Sequence, residues 1–296
     1  MRYKVTKEMD GTRLDVALAI VLIGTRSEAQ KRIGRGSISV NGAVGKNSMR
    51  VSEGDQIDVL YEAPKEAPQK IPKSPVILFE DGEMIVICKP AGLVVHPAPQ
   101  HPTGTLVDFL LTSYPEIAKV GDDPNRPGIV HRLDKDASGV MVLARTSDSF
   151  DSLKHQFKIH AVHKEYYAVV YGTPSPREST ISLLLGRRNS SPKIVPSTVK
   201  GRKAVTHYWV EKKSKHCSLV RIVTETGRTH QIRAHFYAIG HPLVGDTVYK
   251  SKKIKPIAAP RLMLHAHRLT FKDLSGAQQV FECDIPKEFE VVLTNF

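Results

Sequence analysis

The segment 130–145 (VHRLDKDASGVMVLAR) places a carboxylate among cations just before an apolar run. Asp134 lies between Arg132 and Lys135, and Ser138 and Gly139 lead into residues typical of a strand. Neighbouring cations favour the ionised form of a carboxylate, and a strand that enters a core gives a reacting group the rigidity it needs. The segment therefore joins a charged carboxylate, of a kind that can react, to a strand of the core. Taken alone, the pattern favours a surface loop with solvated ion pairs ahead of a buried strand.

The chain carries a large excess of positive charge. It has 43 lysines and arginines against 30 aspartates and glutamates, a formal net charge of +13. Such a charge is typical of a protein that binds a polyanion, with nucleic acid favoured over an anionic membrane surface. The basic clusters are distributed along the chain rather than gathered in a tail, which suits a broad surface that follows a nucleic-acid backbone.

The composition also limits the architecture and the chemistry. With 296 residues, 41% of them hydrophobic, the chain can form one large or two ordinary domains with a substantial core. Its three cysteines are far apart and odd in number, so we expect neither a disulfide framework nor a zinc ribbon. The histidine pairs at 160/163 and 265/267 lack further ligands at suitable spacing, so no metal is expected.

The apolar stretch 14–24 is the one candidate for a targeting or membrane segment. Asp15 interrupts it, no cleavage site follows it, and it is too short to span a bilayer. We therefore expect no membrane partner and a cytoplasmic protein.

Residues 1–60 have the pattern of a small αβ module. The segment 11–15 (GTRLD) opens a predicted apolar helix that runs through Ile23, and residues 25–33 predict a second helix with a capped start. Residues 36–42 and 51–59 alternate like strands, and the first of them ends in an Asn-Gly turn, so a small hairpin should follow the helices. The second helix and its end carry basic residues that could face a phosphate backbone: Arg26, Lys31, Arg32 and Arg35.

A proline-rich stretch, residues 61–75, separates this module from the rest of the chain. Its four prolines stand among charged and small residues, which predicts a semi-rigid, extended linker. In residues 76–296 the predicted strands outnumber the predicted helices, which are 105–114 and 149–159. We therefore expect an α+β fold in which a large mixed, mostly antiparallel sheet is flanked by helices.

Two sets of motifs resemble known families. Residues 13–15 (RLD), 25–30 (TRSEAQ), 40–42 (VNG) and 54–57 (GDQI) together resemble the alpha-L RNA-binding module of a small-subunit ribosomal protein. After the linker, the order and spacing of several motifs closely resemble those of the RluA-type pseudouridine synthases: 131–139 (HRLDKDASG), 164–172 (KEYYAVVYG), 226–235 (TGRTHQIRAH), 240–246 (GHPLVGD) and 264–266 (LHA). This second resemblance covers the chain from about Val76 to its end.

The resemblance implies an isomerase that converts uridine in RNA to pseudouridine. The reaction breaks the bond from ribose to the base nitrogen, turns the base and rejoins it through carbon, without redox change, so no cofactor or metal is implied. The family's catalytic aspartate falls on Asp134, which would attack either the base or the ribose. Asp136 is the nearby competitor.

Two further positions match the family's active site. The basic partner of the aspartate falls on Arg233, with Arg228 as the alternative and a phosphate clamp as the other interpretation of Arg233. Tyr166 matches the family's tyrosine, whose ring would pack on the target base and whose hydroxyl would assist a proton transfer. Its neighbour Tyr167 should point to the opposite face of the strand and serve packing.

A uridine inside folded RNA must be flipped out of its stack before it can react. Arg132 resembles the family residue that takes the vacated space. We expect His131 to brace the loop, and Lys89 and His265 to support either the pocket or the RNA, with plain packing as the alternative.

The implied substrate is large-subunit (23S) ribosomal RNA, free or in a ribosome assembly intermediate, bound by a monomer. Three alternatives remain: a tRNA-directed pseudouridine synthase, a non-catalytic RNA-binding protein on the same scaffold, and a hydrolase or nuclease with Asp134 and Asp136 as paired acids or metal ligands. The joint presence of Asp134, Tyr166 and Arg233 argues against the second alternative. The lack of a further carboxylate cluster argues against the third.

Overall fold

The computed structural model describes residues 2–21, 25–34, 36–59, 74–98, 101–187, 194–196, 201–251 and 253–295. The chain divides into two compact units, Met1–Lys70 and Ile71–Phe296. Each unit has a hydrophobic core of its own. Arg35 and residues 61–73 of the predicted linker lie outside the described residues.

The first unit packs two helices, α1 (Leu14–Val21) and α2 (Arg26–Gly34), against a small antiparallel sheet. Leu14, Ala17 and Leu18 are fully buried because their spacing places them on one face of α1. The sheet has the order β1-β4-β2-β3, and its strands are β1 (Arg2–Lys4), β2 (Ile38–Val40), β3 (Ala43–Val44) and β4 (Gln56–Val59). Asn41 and Gly42 join β2 to β3 with positive φ angles of 50° and 82°, as the predicted Asn-Gly turn requires.

The second unit is built on a ten-stranded sheet. Its strands are β5 (Val76–Glu80), β6 (Met84–Lys89), β7 (Ser138–Ala144), β8 (His163–Tyr171), β9 (Glu178–Arg187), β10 (Ile194–Pro196), β11 (Arg202–Lys213), β12 (Cys217–Thr224), β13 (Leu264–Lys272) and β14 (Gln278–Glu282). The order is β10-β9-β11-β12-β8-β13-β7-β6-β5, with β14 beside β13. The β7–β13 pair is parallel and the other pairs are antiparallel. The predicted α+β fold on a mostly antiparallel sheet is therefore confirmed.

In the described part of this unit, four α-helices flank the sheet: α3 (Leu106–Ser113), α4 (Ser147–Lys158), α5 (Gln231–Ala238) and α6 (Lys287–Asn295). The first two were predicted, and each begins with a capping box, formed by Thr105 in α3 and by Thr146 in α4. The sequence did not predict α5, α6, β9, β10 or β14. Among the described residues, none of the helices has the length and apolar character needed to cross a membrane.

Strand β7, which follows Asp134, lies in the middle of the core, and all seven of its residues are buried. Its first residues pair in parallel with β13, Ser138 opposite His265 and Gly139 opposite Ala266. Gly139 has a φ of 122°, and a Cβ at this position would overlap the carbonyl group of Ala266. The Ser-Gly pair in the motif is thus explained by the close approach of two strands.

The expectation that the cysteines form no disulfide was wrong for one pair. Cys88 in β6 and Cys283 after β14 are joined by a disulfide, with Cα atoms 6.0 Å apart. Cys217 is free and buried. The bonded pair is separated by 195 residues, so its spacing in the sequence carried no signal.

Candidate active site

His131 fixes the beginning of the loop that carries Asp134. Its Nε2 accepts a hydrogen bond of 3.1 Å from the backbone N–H of Val142, and its ring stacks on Phe157 with the centroids 4.5 Å apart. Burial lowers the pKa of His131 to about 3, so the ring stays neutral and can accept this bond. His131 therefore braces the loop against β7, as predicted.

Lys89 holds the same loop from the other side. Its Nζ donates to the carbonyl oxygens of Pro90, Leu93 and Lys135 at 2.9, 2.9 and 3.1 Å. The side chain is fully buried, and burial lowers its pKa to about 7 although Asp134 and Asp136 act in the opposite direction. A side chain without exposed surface does not reach RNA. The predicted RNA contact of Lys89 is therefore corrected to a support of the loop.

His265 and Ser138 tie the loop to the C-terminal part of the sheet. The Nδ1 of His265 lies 2.8 Å from the Ser138 hydroxyl, and its Nε2 lies 2.8 Å from the carbonyl oxygen of Cys283. A carbonyl oxygen only accepts, so Nε2 carries the proton and Nδ1 accepts from Ser138. His265 is fully buried and its role is internal support, the packing alternative foreseen for it.

Arg233 on α5 is the charged partner of Asp134. Its Nη1 donates to Asp134 Oδ2 at 2.9 Å, across 99 residues of chain. Arg228, the alternative partner, instead directs its Nε to the carbonyl oxygen of Lys203 at 3.3 Å. Both arginines line the same cavity, but the contact with the carboxylate belongs to Arg233.

A second carboxylate, Asp246, fixes the orientation of Arg233. Its two oxygens accept from Arg233 Nε and Nη2 at 2.7 and 2.9 Å, and also from the backbone N–H groups of Val248 and Tyr249. Burial alone would raise the pKa of Asp246, but the hydrogen bonds and charge of Arg233 outweigh it and hold that pKa below its ordinary value. A planar guanidinium held on one edge presents its other edge in a fixed direction.

Asp246 was not predicted to have a role, although it ends the motif 240–246. The signal that could have found it is a carboxylate placed shortly after a buried arginine in the order of the motifs.

The turn before α5 is pinned to β11 by buried polar groups. Gln231 accepts from the Thr226 hydroxyl at 2.7 Å through its Oε1, and its Nε2 donates to the carbonyl oxygen of Val205 at 2.9 Å. His230 precedes the helix in the left-handed conformation, with φ 54° and ψ 22°. This sharp entry turns His230 and Arg233 toward the loop of Asp134, and both contact that carboxylate.

These side chains enclose a cavity of about 110 Å³ whose lining includes Arg132, Asp134, Tyr166, Arg228, His230 and Arg233. Tyr166 stands on β8, and burial raises the pKa of its hydroxyl to about 12, so it stays protonated at neutral pH. Tyr167 turns to the other face of β8 and packs in a separate part of the core, as predicted. Arg132 is exposed at the mouth of the cavity, where its Nη1 lies 3.5 Å from His96 Nε2.

The second carboxylate of the loop, Asp136, is exposed and does not line this cavity. Among the described residues, no group of three or more histidine, cysteine, aspartate or glutamate side chains is arranged to hold a metal ion. The arrangement therefore provides one carboxylate, anchored by one arginine and facing an aromatic ring, which suits nucleophilic attack rather than paired-acid hydrolysis.

Comparison with known families agrees with this geometry. Residues 83–238 match the model of the RNA pseudouridylate synthase family, and these residues contain Asp134, Tyr166 and Arg233. The chain belongs to this family. Residues 12–57 match the S4 domain, the RNA-binding module expected in the first unit. The protein is thus an isomerase of the pseudouridine synthase class with an N-terminal S4 domain.

Similar proteins span nearly the whole chain. An uncharacterized RNA pseudouridine synthase of Synechocystis is 40% identical over 294 residues, which cover 96% of this chain and 88% of its own. The ribosomal large subunit pseudouridine synthase D of Zymomonas mobilis is 38% identical over 303 residues, covering 97% and 94% of the two chains. Among solved structures, human RNA pseudouridylate synthase domain containing 4 superposes with a TM-score of 0.58 at 25% identity, over 74% of this chain and 92% of its own.

The basic residues predicted on α2 of this pseudouridine synthase have different environments. Arg26 donates from Nε to the buried carboxylate of Asp15 at 3.0 Å, while about half of its side chain remains exposed. Arg32 is exposed. Lys31 lies in α2, but its side chain and the whole of Arg35 are outside the described part of the chain. Arg26 thus first stabilises the S4 domain, and its contact with RNA stays a prediction.

Proposed function

We propose that this enzyme converts specific uridines of large-subunit ribosomal RNA to pseudouridine, with Asp134 as the nucleophile. The observation that carries the proposal is the chain of contacts from Asp134 through Arg233 to Asp246, at the wall of a cavity that also holds Tyr166. The choice of RNA is supported by the names of relatives from Zymomonas mobilis and Pseudomonas aeruginosa, both ribosomal large subunit pseudouridine synthase D.

Each polar group has a distinct task in this proposal. Arg233 binds Oδ2 of Asp134, so Oδ1 is the oxygen that attacks the target uridine. Tyr166 supplies an aromatic face beside the nucleophile, on which a flipped base can stack. Arg132 at the mouth of the cavity occupies the gap that the flipped base leaves in the RNA. Arg228 at the rim binds the RNA backbone.

The positive charge of the chain supports RNA as the substrate. The net charge of +13 and the S4 domain provide contacts with phosphates that do not depend on base sequence. Arg26, Lys31, Arg32 and Arg35 are the proposed contacts from the S4 domain.

A pseudouridine map of cellular RNA, made with and without this protein, tests the proposal. We expect one or more sites in large-subunit ribosomal RNA to lose pseudouridine when the protein is absent. Restoring the wild-type protein should restore these sites. Loss of sites in tRNA alone would reject the proposed substrate and keep the enzyme class.

Substitution Asp134→Asn tests the nucleophile separately. The amide keeps the shape of the side chain but lacks the charge needed for attack, so we expect no pseudouridine above background. Affinity for RNA should change less than about threefold, because the contacts with phosphates remain. Filter binding and a pseudouridine assay on the same RNA measure both quantities. Turnover by the variant would contradict the assignment of Asp134.

A further inference from the structure

His230 lines the cavity and has not been given a task in the reaction. Its Nδ1 lies 3.2 Å from the hydroxyl of Tyr249, and its Nε2 lies 3.9 Å from Oδ1 of Asp134. About a quarter of the His230 side chain is exposed, at 24%. One nitrogen is therefore engaged with the protein, and the other faces the proposed nucleophile.

The hydrogen bonds of Tyr249 determine which nitrogen carries the proton. The Tyr249 hydroxyl donates to the carbonyl oxygen of Ile194 at 2.9 Å and accepts from the backbone N–H of Ile194 at 3.0 Å. A hydroxyl has one hydrogen to donate, and it is already used. Toward His230 the hydroxyl can only accept, so Nδ1 carries the proton. In the neutral ring Nε2 is then a free base directed at the cavity.

The electrostatic surroundings of the His230 ring favour its neutral form before the reaction. Burial lowers the pKa of His230, and the charges of Arg233 and Arg132 act in the same direction. The carboxylates of Asp134 and Asp246 oppose this effect without reversing it. Once Nε2 accepts a proton, the imidazolium lies within 4 Å of Asp134 Oδ1, which stabilises its charge.

Formation of pseudouridine requires such a base. When C1′ of the ribose has been joined to C5 of the uracil ring, C5 still carries its hydrogen, and the ring is not conjugated. The C5–H bond must break, its electron pair must form the C5–C6 double bond, and N1 must gain a proton. Tyr166 is poorly suited to take the C5 proton, because its buried hydroxyl keeps its own proton at neutral pH.

We propose that His230 is the general base that takes the C5 proton through Nε2, with Tyr249 holding the ring in the required tautomer. The inference rests on the proposed function, in which Asp134 reacts as the nucleophile with a uridine bound in this cavity. In the balanced step the C5 hydrogen leaves as a proton to Nε2, the C5–H electron pair forms the C5–C6 double bond, the C6–N1 double-bond pair moves to N1, and N1 is protonated by the imidazolium or by water. The bond between Asp134 and the uridine has been broken before this step, so Oδ1 is again a carboxylate oxygen. The product is an isomer of the substrate.

The variant His230→Asn removes the base with little change in the backbone, because asparagine adopts the left-handed conformation more readily than most residues. His160→Asn is the matched control. His160 also has a positive φ, 62°, but it is exposed at the end of α4 and does not line the cavity. The substrate is transcribed large-subunit ribosomal RNA containing either [5-¹H]- or [5-²H]uridine, and single-turnover formation of pseudouridine is measured with each.

We expect His230→Asn to slow the reaction by about 10²–10⁴-fold, the usual contribution of a general base. The deuterium isotope effect at C5 should increase in this variant, because proton removal becomes the slowest step. The rate of the wild-type enzyme should fall at acid pH as the His230 ring becomes protonated, with an apparent pKa below 6.5. The rate of His230→Asn should not show this fall. His160→Asn should behave as the wild type.

Two results would overturn the inference: a rate within threefold of the control, or a slower rate without an increased isotope effect. The second result would show that His230 only supports the structure. If His230→Asn does not fold, His230→Gly serves instead, since glycine also tolerates the left-handed conformation. Added imidazole should then restore part of the rate, and failure to restore any would reject the proposal.

A parallel assay of the wild type and Asp134→Asn separates this inference from the proposed function. If the wild type leaves the RNA unmodified, the proposed substrate is wrong. If the wild type is active, Asp134→Asn is inactive and His230→Asn equals its control, the role of His230 alone is rejected.

Discussion

At the residue scale, the site depends on a buried arginine shared between two carboxylates. Arg233 is 7% exposed, and the Asp246 side chain is fully buried. Burial of Arg233 opposes its charged form, yet the hydrogen bond of Asp246 and the charge of Asp134 outweigh burial and raise its pKa. Asp246 thus stabilises the charged form of Arg233. When Asp134 reacts and loses its own charge, Arg233 is still paired with Asp246.

Substitution Asp246→Asn should therefore reduce both stability and activity. Removing one partner of a buried ion pair costs about 3–5 kcal/mol of folding stability. The rate of pseudouridine formation should also fall, because Arg233 is no longer held in the orientation in which it binds Asp134. The folded pKa of Asp246 lies below 3.8, so the stabilisation is complete above that pH and is lost as pH falls through the folded pKa. Urea unfolding of wild type and variant at several pH values measures this.

The exposed Asp151 on α4 provides the control, as Asp151→Asn should change the free energy of unfolding by less than about 0.5 kcal/mol. If the difference in the free energy of unfolding between wild type and Asp246→Asn is as large in strong acid as at neutral pH, the ionised Asp246 is not its source.

At the element scale, side chains on β6, β7 and β13 hold the loop of Asp134 in addition to backbone hydrogen bonds, such as that from the N–H of Gly92 to the carbonyl oxygen of Lys135 at 2.8 Å. Lys89 supplies three of the side-chain hydrogen bonds from the end of β6. Its pKa is about 7 in the folded protein and 10.5 for a free lysine, so the unfolded chain binds more protons between these values. Loss of the buried charge of Lys89 therefore stabilises the folded state, and this stabilisation is complete above pH 10.5 and is lost as pH falls through 7.

We therefore predict that the stability of the wild type relative to Lys89→Met rises as pH increases from 7 to 10.5. Replacing the exposed Lys119 by methionine provides the comparison at a surface position. Chemical denaturation across this pH range measures the difference. If the free energies of unfolding of wild type and Lys89→Met change in parallel with pH, Lys89 does not titrate in this pH range.

The elements also show which features the sequence could predict. The helical period of the apolar residues predicts helices α3 and α4, and the structure adds the cap at the start of each. Helix α5 was missed because its first six residues are all buried, polar and apolar alike, so no amphipathic period marks it. Asp134, Tyr166 and Arg233 were named by resemblance. The role of Asp246 and the proposed role of His230 depend on contacts that the fold creates. For Asp246 the sequence offers one signal, a carboxylate that follows the motif of Arg233.

At the scale of the whole molecule, the S4 domain and the candidate active site lie on separate units. The three residues of the proposed reaction, Asp134, Tyr166 and Arg233, belong to the second unit, and the S4 domain has its own core around Leu14 and Leu18. The S4 core includes none of the strands or helices that position the nucleophile. The S4 domain is therefore expected to affect where and how tightly the enzyme binds, and the second unit to determine the rate of the chemical step.

Removal of residues 1–60 should consequently weaken binding while preserving the chemical step. We expect the Kd for RNA to rise about tenfold or more, and its dependence on salt to become shallower by about 0.7–0.9 for each phosphate that the S4 domain neutralises in the full-length enzyme. The single-turnover rate at saturating enzyme should stay within about threefold, because every residue that lines the cavity is retained. Binding titrations at several salt concentrations, together with rate measurements on the same RNA, test both parts. Unchanged affinity would show that the S4 domain does not bind this RNA, whereas loss of the saturating rate would show that it takes part in assembling the site.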